Sequence, residues 1–423
     1  LIKGIEATMF NNTDTNFCFT PGKLTILMDG GAGSSGKGKL GAFVAAHADN
    51  WQFACNTFAP QAGHWVKNDD GKSYFYQTFN SCAWMSDKYE KLYIGPGSTI
   101  ELEAFWREKE QNNIPGCKIG ISPVTSILQT IDGKFERGLI DFDGNNRVIS
   151  DHSLAKTGTT AHGCGANRAR RVLRRPEARY ARDIPELSEF ICDVPNEIMG
   201  RLEEGQAGML ELAQGFQLSY MLPEFFPFTT SRNCTVAAGL DDMMLPPIYA
   251  GNVILNYRTF PIRISSLKYI GEGGKHLTFE EIKKYEIEGK SYEIFKGNSG
   301  PGYNDQEETT WEEITTNSGS PIPIMEMTSV TKLPRRVFTF SRKNVEQSIL
   351  HNRTNGKTFI AVNFVNYLDH SLTGMRASFS PVDFWSSDMI TKWLDQNLSN
   401  LDTEVILLGT GEKTDDYVLI STT

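Results

Sequence analysis

Lys23-Leu-Thr-Ile-Leu-Met-Asp-Gly-Gly-Ala-Gly-Ser-Ser-Gly-Lys-Gly-Lys39 is the stretch on which the fold turns. Residues 23–28 are a short, mostly apolar run, as expected of a strand buried on both faces. Asp29 to Gly36 is glycine-rich and reads as a loop, and from Lys37 a helix is predicted with Leu40, Phe43 and Val44 on one side. Strand, glycine loop and helix in this order open a parallel α/β sheet. Gly31 to Lys37 matches G-x-x-x-x-G-K. In such a loop the glycines let backbone N–H groups approach an anion, the helix adds its positive N-terminal end, and the lysine reaches the β/γ-phosphates. The next residue is ordinarily Ser or Thr, whose hydroxyl holds Mg²⁺; here it is Gly38, followed by a second lysine, Lys39. A strand-to-helix turn without a ligand would give no reason for two lysines to bracket Gly38.

Outward from this unit, further buried strands are predicted at Lys91–Ile94, 253–257, 358–365 and 404–408, with helices at 185–203 and 381–397. The alternation predicts an α/β fold with a central, mostly parallel sheet. Residues 1–22 read as an irregular lead-in and 23–423 as a single domain. Residues 265–296 read as an insertion, in which the charged stretch 278–288 is predicted to form a solvated helix followed by a short hairpin.

Composition narrows the function. The chain has 423 residues and a net charge of -9, which argues against a general nucleic-acid binder but allows a locally basic pocket. Seven widely spaced cysteines without a C-x-x-C argue against a disulfide framework or zinc site and fit a reducing cytosol. No apolar run approaches the length of a membrane span, and the first residues lack a signal-peptide core, so a cytoplasmic location, in the host if the source is viral, is expected.

Six short segments, in order, carry a resemblance. Gly33-Ser-Ser-Gly-Lys-Gly-Lys39 resembles the G-D-E-G-K-G-K signature of adenylosuccinate synthetases. Gln61-Ala-Gly-His64 resembles the family's N-A-G-H, Gly158-Thr159-Thr160-Ala-His-Gly-Cys-Gly165 its G-T-T-G-R-G-I-G, and Glu211-Leu-Ala-Gln-Gly215 its E-G-A-Q-G. The segment from Pro227 to Thr235 resembles P-Y-V-T-S-S-N-T-T, and Gly409-Thr410-Gly411 resembles the S-T-G near the family's C-terminus. Each motif is weak alone; together they span most of the chain from Lys23.

The resemblance implies a two-step ligase. A nucleoside triphosphate phosphorylates the 6-oxygen of a purine nucleotide, and the aspartate amine then displaces phosphate. It implies Lys37, His64, Gln214 and the residue at 34 as catalytic, with donor phosphates on Gly33, Ser35, Gly36, Gly38 and Lys39. Magnesium would be held at Ser34 and at the Gly63 carbonyl. The family's Asp at position 34 takes the N1 proton, whereas Ser34 supplies no carboxylate at neutral pH. That departure resembles the viral 2-aminoadenylosuccinate synthetases, which act on dGMP. IMP as acceptor, and a nucleotide-binding regulator that lost its chemistry, remain the alternatives.

By the same resemblance Gln61, Thr159, Thr160 and Thr230 contact the nucleotide, Arg263 its ribose region, and Arg174 reaches the site of a neighbouring subunit in a homodimer. Residues 326–336 resemble the family's aspartate-binding loop, with Thr328, Thr331, Arg335 and Arg336 as carboxylate contacts. Where the family selects GTP through T-K-x-D, this chain has Asn363-Phe-Val-Asn366. An amide offers both a donor and an acceptor, so Asn363 and Asn366, with Gly409, Thr410 and Gly411, predict ATP or dATP as phosphate donor.

Overall fold

The computed structural model describes residues 14–141, 145, 160–272, 277–296, 298–328, 332–376, 387–403 and 405–421. Strand β1 (Leu24–Asp29) divides it. Leu24, Ile26 and Met28 enter one buried layer and Leu27 the other. Full burial of such side chains contributes about 1.5–3 kcal/mol each. A strand buried on both faces also needs partners along both edges for its backbone groups.

Those partners come from a nine-stranded sheet. Its other members are β2 (Phe53–Asn56), β3 (Lys91–Ile94), β4 (Ile119–Ile121), β5 (Gly208–Gly215), β6 (Ala250–Arg258), β7 (Thr358–Asn363), β8 (Val405–Gly409) and β9 (Tyr417–Ser421). The order is β9-β8-β7-β6-β1-β5-β2-β3-β4, parallel throughout except for β9 at the edge. The chain winds one way from β1 to β4, returns to β5, then crosses β1 to β6 and winds the other way. Such a reversal opens a crevice at the carboxyl ends of the strands, where ligands bind in open α/β sheets. The glycine loop leaves β1 at that point.

Helix α1 (Lys37–Ala46) follows the loop, and Lys37 to Ala45 are all buried. Its small residues permit this, for a Cβ at Gly41 would lie 2.3 Å from Ser81 Oγ. Residues 14–22 pack into the same interior: Cys18 and Phe19 are buried, and the Thr15 hydroxyl donates to the Val44 carbonyl on α1 (2.8 Å). Among the described residues no helix is long and apolar enough to cross a membrane.

Three expectations about elements change. The helix predicted over 185–203 is two pieces, a 3-10 turn (Pro185–Phe190) and a helix (Val194–Glu203). Asp193 caps the second piece by accepting from the Asn196 amide, and Pro195 in its first turn could not sit inside a longer helix. Strand β7 stops at Asn363, because Phe364 adopts a left-handed φ of 64°. Across residues 265–296 the hairpin encloses the helix and does not follow it: Leu267–Ile270 pairs antiparallel with Glu293–Lys296, and the helix Phe279–Ile287 lies between them in sequence. A reciprocal Thr278–Glu281 capping box starts that helix. Of the helix predicted over 381–397, Asp388–Leu398 is present and 381–386 lies outside the described residues.

Candidate active site

The glycine loop is held from below by its carbonyls. Ser34 O accepts from Arg258 Nη1 (2.9 Å). Ser35 O accepts from both Asn256 Nδ2 (2.9 Å) and Asn363 Nδ2 (2.8 Å). In a planar trans peptide the C=O and the following N–H point in opposite directions. Three side chains on β6 and β7 therefore aim the Ser35 and Gly36 N–H groups away from the sheet. Gly36, at φ 81°, then begins α1, whose first N–H groups have no intrahelical partner. The result is an anion site backed by the helix dipole. Not every loop amide joins it. The Asp29 carboxylate accepts from Gly31 N (2.8 Å) and Gly33 N (3.3 Å), so these two glycines shape the loop. Burial raises the Asp29 pKa, against the loop hydrogen bonds and Lys37, which lower it.

Beside this anion site lies a buried charged cluster. Lys37 Nζ is 3.2 Å from His64 Nδ1 and 3.3 Å from Glu211 Oε1. Glu211, on β5, is fully buried and also accepts from the Ser81 N–H and hydroxyl, both at 2.9 Å. The His64 ring stacks on Phe58 with centroids 4.2 Å apart. Burial, and then the Lys37 charge, push the His64 pKa well below the usual 6.5, so the imidazole is neutral at pH 7. Nδ1 faces both Lys37 Nζ (3.2 Å) and Glu211 Oε1 (3.4 Å); where Lys37 donates to Nδ1 the ring proton sits on Nε2, which is buried and has no protein partner. A neutral imidazole presenting an N–H is suited to donate to a phosphoryl or purine oxygen.

The absence of a Ser or Thr at position 38 has a steric reason. His64 begins a hairpin, His64–Lys67 with Ser73–Tyr76, that lies against α1. A Cβ at Gly38 would sit 2.9 Å from the Trp65 carbonyl and 3.0 Å from His64 Cβ. The glycine is what lets His64 come alongside Lys37.

Gln214 and Gly215 close the other side of the loop. Gln214 has a φ of 65°, and a Cβ at Gly215 would lie 2.3 Å from the Gly31 carbonyl. Gln61 Nε2 reaches the Thr230 hydroxyl (3.5 Å), while its buried Oε1 has no partner. Gln61 lines a cavity of about 320 Å³ together with Arg168, Arg171 and Arg232. Arg168 and Arg232 both pair with Asp242 (3.2 Å each), which offsets part of that positive charge. Thr160 and Arg174 are exposed, and Arg174, at φ 53°, follows the helix Cys164–Val172. Thr159 and Thr331 lie outside the described residues.

Arg263 is buried and donates through Nη1 to the carbonyls of Phe228 (3.3 Å) and Ser299 (2.8 Å), leaving Nη2 without a partner. Desolvation, with Arg336 nearby, brings its pKa down to about 10. Thr328 is buried, and its hydroxyl accepts from Leu333 N (3.0 Å). Arg335 donates to the Met327 carbonyl (3.1 Å), and burial also brings it to about 10. Arg336 pairs with Glu308 (2.7 Å) and donates to the Gly300 carbonyl (2.8 Å).

Two side chains assigned to the donor are engaged elsewhere. Lys39 is buried over the Tyr417 ring and donates to the carbonyls of Gly411 and Asp416, both at 2.8 Å. It ties α1 to the C-terminal loop, because it projects from the helix away from Lys37's cluster. The Asn363 amide is likewise saturated: besides Ser35 O it donates to Asn256 Oδ1 (2.9 Å), and it accepts from the Tyr417 hydroxyl (2.7 Å). A base cannot be read by an amide whose donors and acceptor are already paired. Asn366 is only partly buried, just beyond Phe364, over which Arg258 lies at 4.3 Å. Gly409 abuts Asn363, and the buried Thr410 hydroxyl donates to the Met375 carbonyl.

Asp29, Glu211, Asn256, Arg258 and Glu326 were not singled out by sequence reasoning. One signal was present: Glu211, Asn256 and Arg258 interrupt otherwise apolar strands, and a buried polar side chain must have a partner.

No family model matches the chain. The adenylosuccinate synthetase of Pyrococcus horikoshii is 30% identical over 243 residues, covering 57% of this chain and 67% of that protein. The chain belongs to the adenylosuccinate synthetase family. As a member it is a carbon–nitrogen ligase of the adenylosuccinate synthetase type. The N6-succino-2-amino-2'-deoxyadenylate synthase of Salmonella phage PMBT28 is 28% identical over 361 residues, 82% of this chain and 86% of that one. Among solved structures, the succinoaminodeoxyadenylate synthetase of cyanophage S-2L, bound to dGMP and to dATP as energy donor, superposes with a TM-score of 0.66 at 23% identity over 93% of both chains. The fully ligated adenylosuccinate synthetase of Plasmodium falciparum gives 0.64 at 14% identity, over 93% of this chain and 98% of that one. The adenylosuccinate synthetase-like fold is thereby established.

Proposed function

We propose that this ligase joins the amine of L-aspartate to C6 of dGMP, forming the 2-amino-2'-deoxyadenylosuccinate nucleotide. In the first step guanine N1 gives up its proton to solvent as the terminal phosphoryl group of ATP or dATP passes to the purine 6-oxygen, releasing the diphosphate. In the second, the aspartate amine attacks C6 and phosphate leaves with the former 6-oxygen. The observation that carries the reading is the Lys37–His64–Glu211 cluster beside the outward-facing Ser35 and Gly36 amides. Lys37 and the amides offset phosphoryl charge, and His64 Nε2–H donates to the oxygen on which charge develops. Burial lowers the Lys37 pKa, and Glu211, 3.3 Å away, holds the amine in place and opposes that shift.

The choice of dGMP is supported by Ser34, exposed at the loop where the family has a carboxylate, and by the name of the phage relative. A hydroxyl tolerates the N1–H and 2-amino edge of guanine without imposing a base. Among the described residues no group of three His, Cys, Asp or Glu side chains could hold a metal. Magnesium does not need one here, since it is commonly held by substrate phosphates, water and one or two protein oxygens. Ser34 Oγ and the Gly63 carbonyl, both on exposed residues, would supply those oxygens, and the ion would neutralise phosphate charge. By the family resemblance, 326–336 with Arg335 and Thr328 takes aspartate, and Arg174, which is exposed, reaches a shared nucleotide site in a homodimer.

The test is direct. The protein is incubated with aspartate, magnesium and ATP, and with either dGMP or IMP, and the succinylated nucleotide is detected by mass. Product from dGMP is expected; turnover of IMP with none of dGMP would overturn the choice of acceptor.

A further inference from the structure

Arg258 ends β6 and is almost fully buried. Its Nη1 donates both to the Ser34 carbonyl (2.9 Å) and to Glu326 Oε2 (3.1 Å), while Nη2 donates to Glu326 Oε1. One guanidinium therefore bridges the phosphate loop and the first residue of the 326–336 segment. Glu326 is further fixed by the Tyr367 hydroxyl (3.3 Å). The segment is closed on itself: Arg335 N donates to Glu326 O (3.0 Å), and Thr328 N to Leu333 O (2.8 Å). A shift of Glu326 thus carries Arg335 with it. At the other end, the Ser34 carbonyl sets the direction of the Ser35 N–H through the rigidity of their shared peptide.

We propose that Arg258 is a positioning residue that couples the two sites: seating of the aspartate loop through Glu326 and alignment of the phosphate loop through Ser34 are one event. The bidentate fork is suited to this, since a single rigid plane contacts both loops. In this role Arg258 acts through its hydrogen-bond partners Ser34 and Glu326. The inference rests on the assignment of 326–336 to aspartate made above.

Steady-state kinetics and direct binding on the full-length protein test it. In the parent, aspartate lowers the Kd for ATP, and ATP lowers the Kd for aspartate by the same factor, expected at about fivefold or more. Arg258→Met and Glu326→Gln each abolish this reciprocal effect and lower kcat/KM for aspartate by about thirtyfold or more, through KM and kcat together. The double variant Arg258→Met/Glu326→Gln is no worse than the poorer single one, because both substitutions remove the same link. Arg258→Lys, which reaches one partner at a time, recovers part of the loss. Calorimetric affinity for dGMP stays at the parent value in all four, which separates the effect from misfolding. Variants that lose thermal stability but keep the mutual effect of ATP and aspartate refute the coupling while leaving the ligase reading intact. Single-variant losses that multiply in the double variant refute it too. A parent that binds dGMP and ATP but forms no succinyl adduct refutes the ligase reading, and the coupling with it.

Discussion

Replacing Asn363 by alanine separates two roles that one residue was expected to hold. The side chain is buried and makes three hydrogen bonds: it donates to Ser35 O at 2.8 Å and to Asn256 Oδ1 at 2.9 Å, and accepts from the Tyr417 hydroxyl at 2.7 Å. Ser35 O keeps its bond from Asn256, so that carbonyl is not orphaned. The Tyr417 hydroxyl is fully buried and would be left without its acceptor. Lost hydrogen bonds at about 1 kcal/mol each, with a stranded hydroxyl at the upper end of that range, give about 3–4 kcal/mol. For 423 residues the unfolding entropy is about 0.9 kcal/mol/K, so the melting temperature is expected to fall by about 4 °C. The catalytic effect follows from the loosened Ser35–Gly36 peptide: KM for the triphosphate rises about tenfold for every donor base alike. Differential scanning fluorimetry, with kcat/KM for ATP, dATP and GTP, measures both. A variant that melts with the parent but changes its preference between adenine and guanine donors would show that the amide reads the base, and the positioning argument would be wrong.

Other outcomes follow from the same geometry. Gly38→Ser, which restores the usual phosphate-loop residue, places Cβ within 2.9 Å of the Trp65 carbonyl, so turnover is expected to fall by about tenfold or more as His64 moves; unchanged or faster turnover would contradict the packing argument. His64 has a folded pKa well below 6.5, so below pH 6.5 the unfolded chain takes up a proton that the folded one refuses, and His64 lowers stability as the pH falls. The acid limb of kcat is accordingly expected below pH 6.5, and a limb above that value which disappears in His64→Asn would refute the neutral donor. Leu333 packs with Leu277 and Ile282, so Leu333→Asp is expected to raise KM for aspartate while leaving KM for dGMP unchanged; an equal rise in both would deny residues 265–296 a specific role under the 326–336 segment.

What could be read from the chain alone was local. The apolar run of β1, the glycines, Lys37 and the helix after them are contiguous, and their chemistry depends on spacing that a linear sequence displays. The motifs at Gln61 to His64 and Glu211 to Gly215 were legible for the same reason. The side chains that aim the loop were not. Asn256, Arg258 and Asn363 lie 221 to 328 positions beyond the loop carbonyls they bind, and only strand register brings them there: Asp29 pairs with Asn256, and Arg258 with Asn363, across β1, β6 and β7. The sequence marks them only as polar interruptions of buried strands. It could not say that Lys39 turns toward the C-terminal loop or that Asn363 is saturated, because both follow from where β9 comes to rest at the sheet edge. Residue type set which chemistry was available; the parallel register decided which groups remained free to perform it.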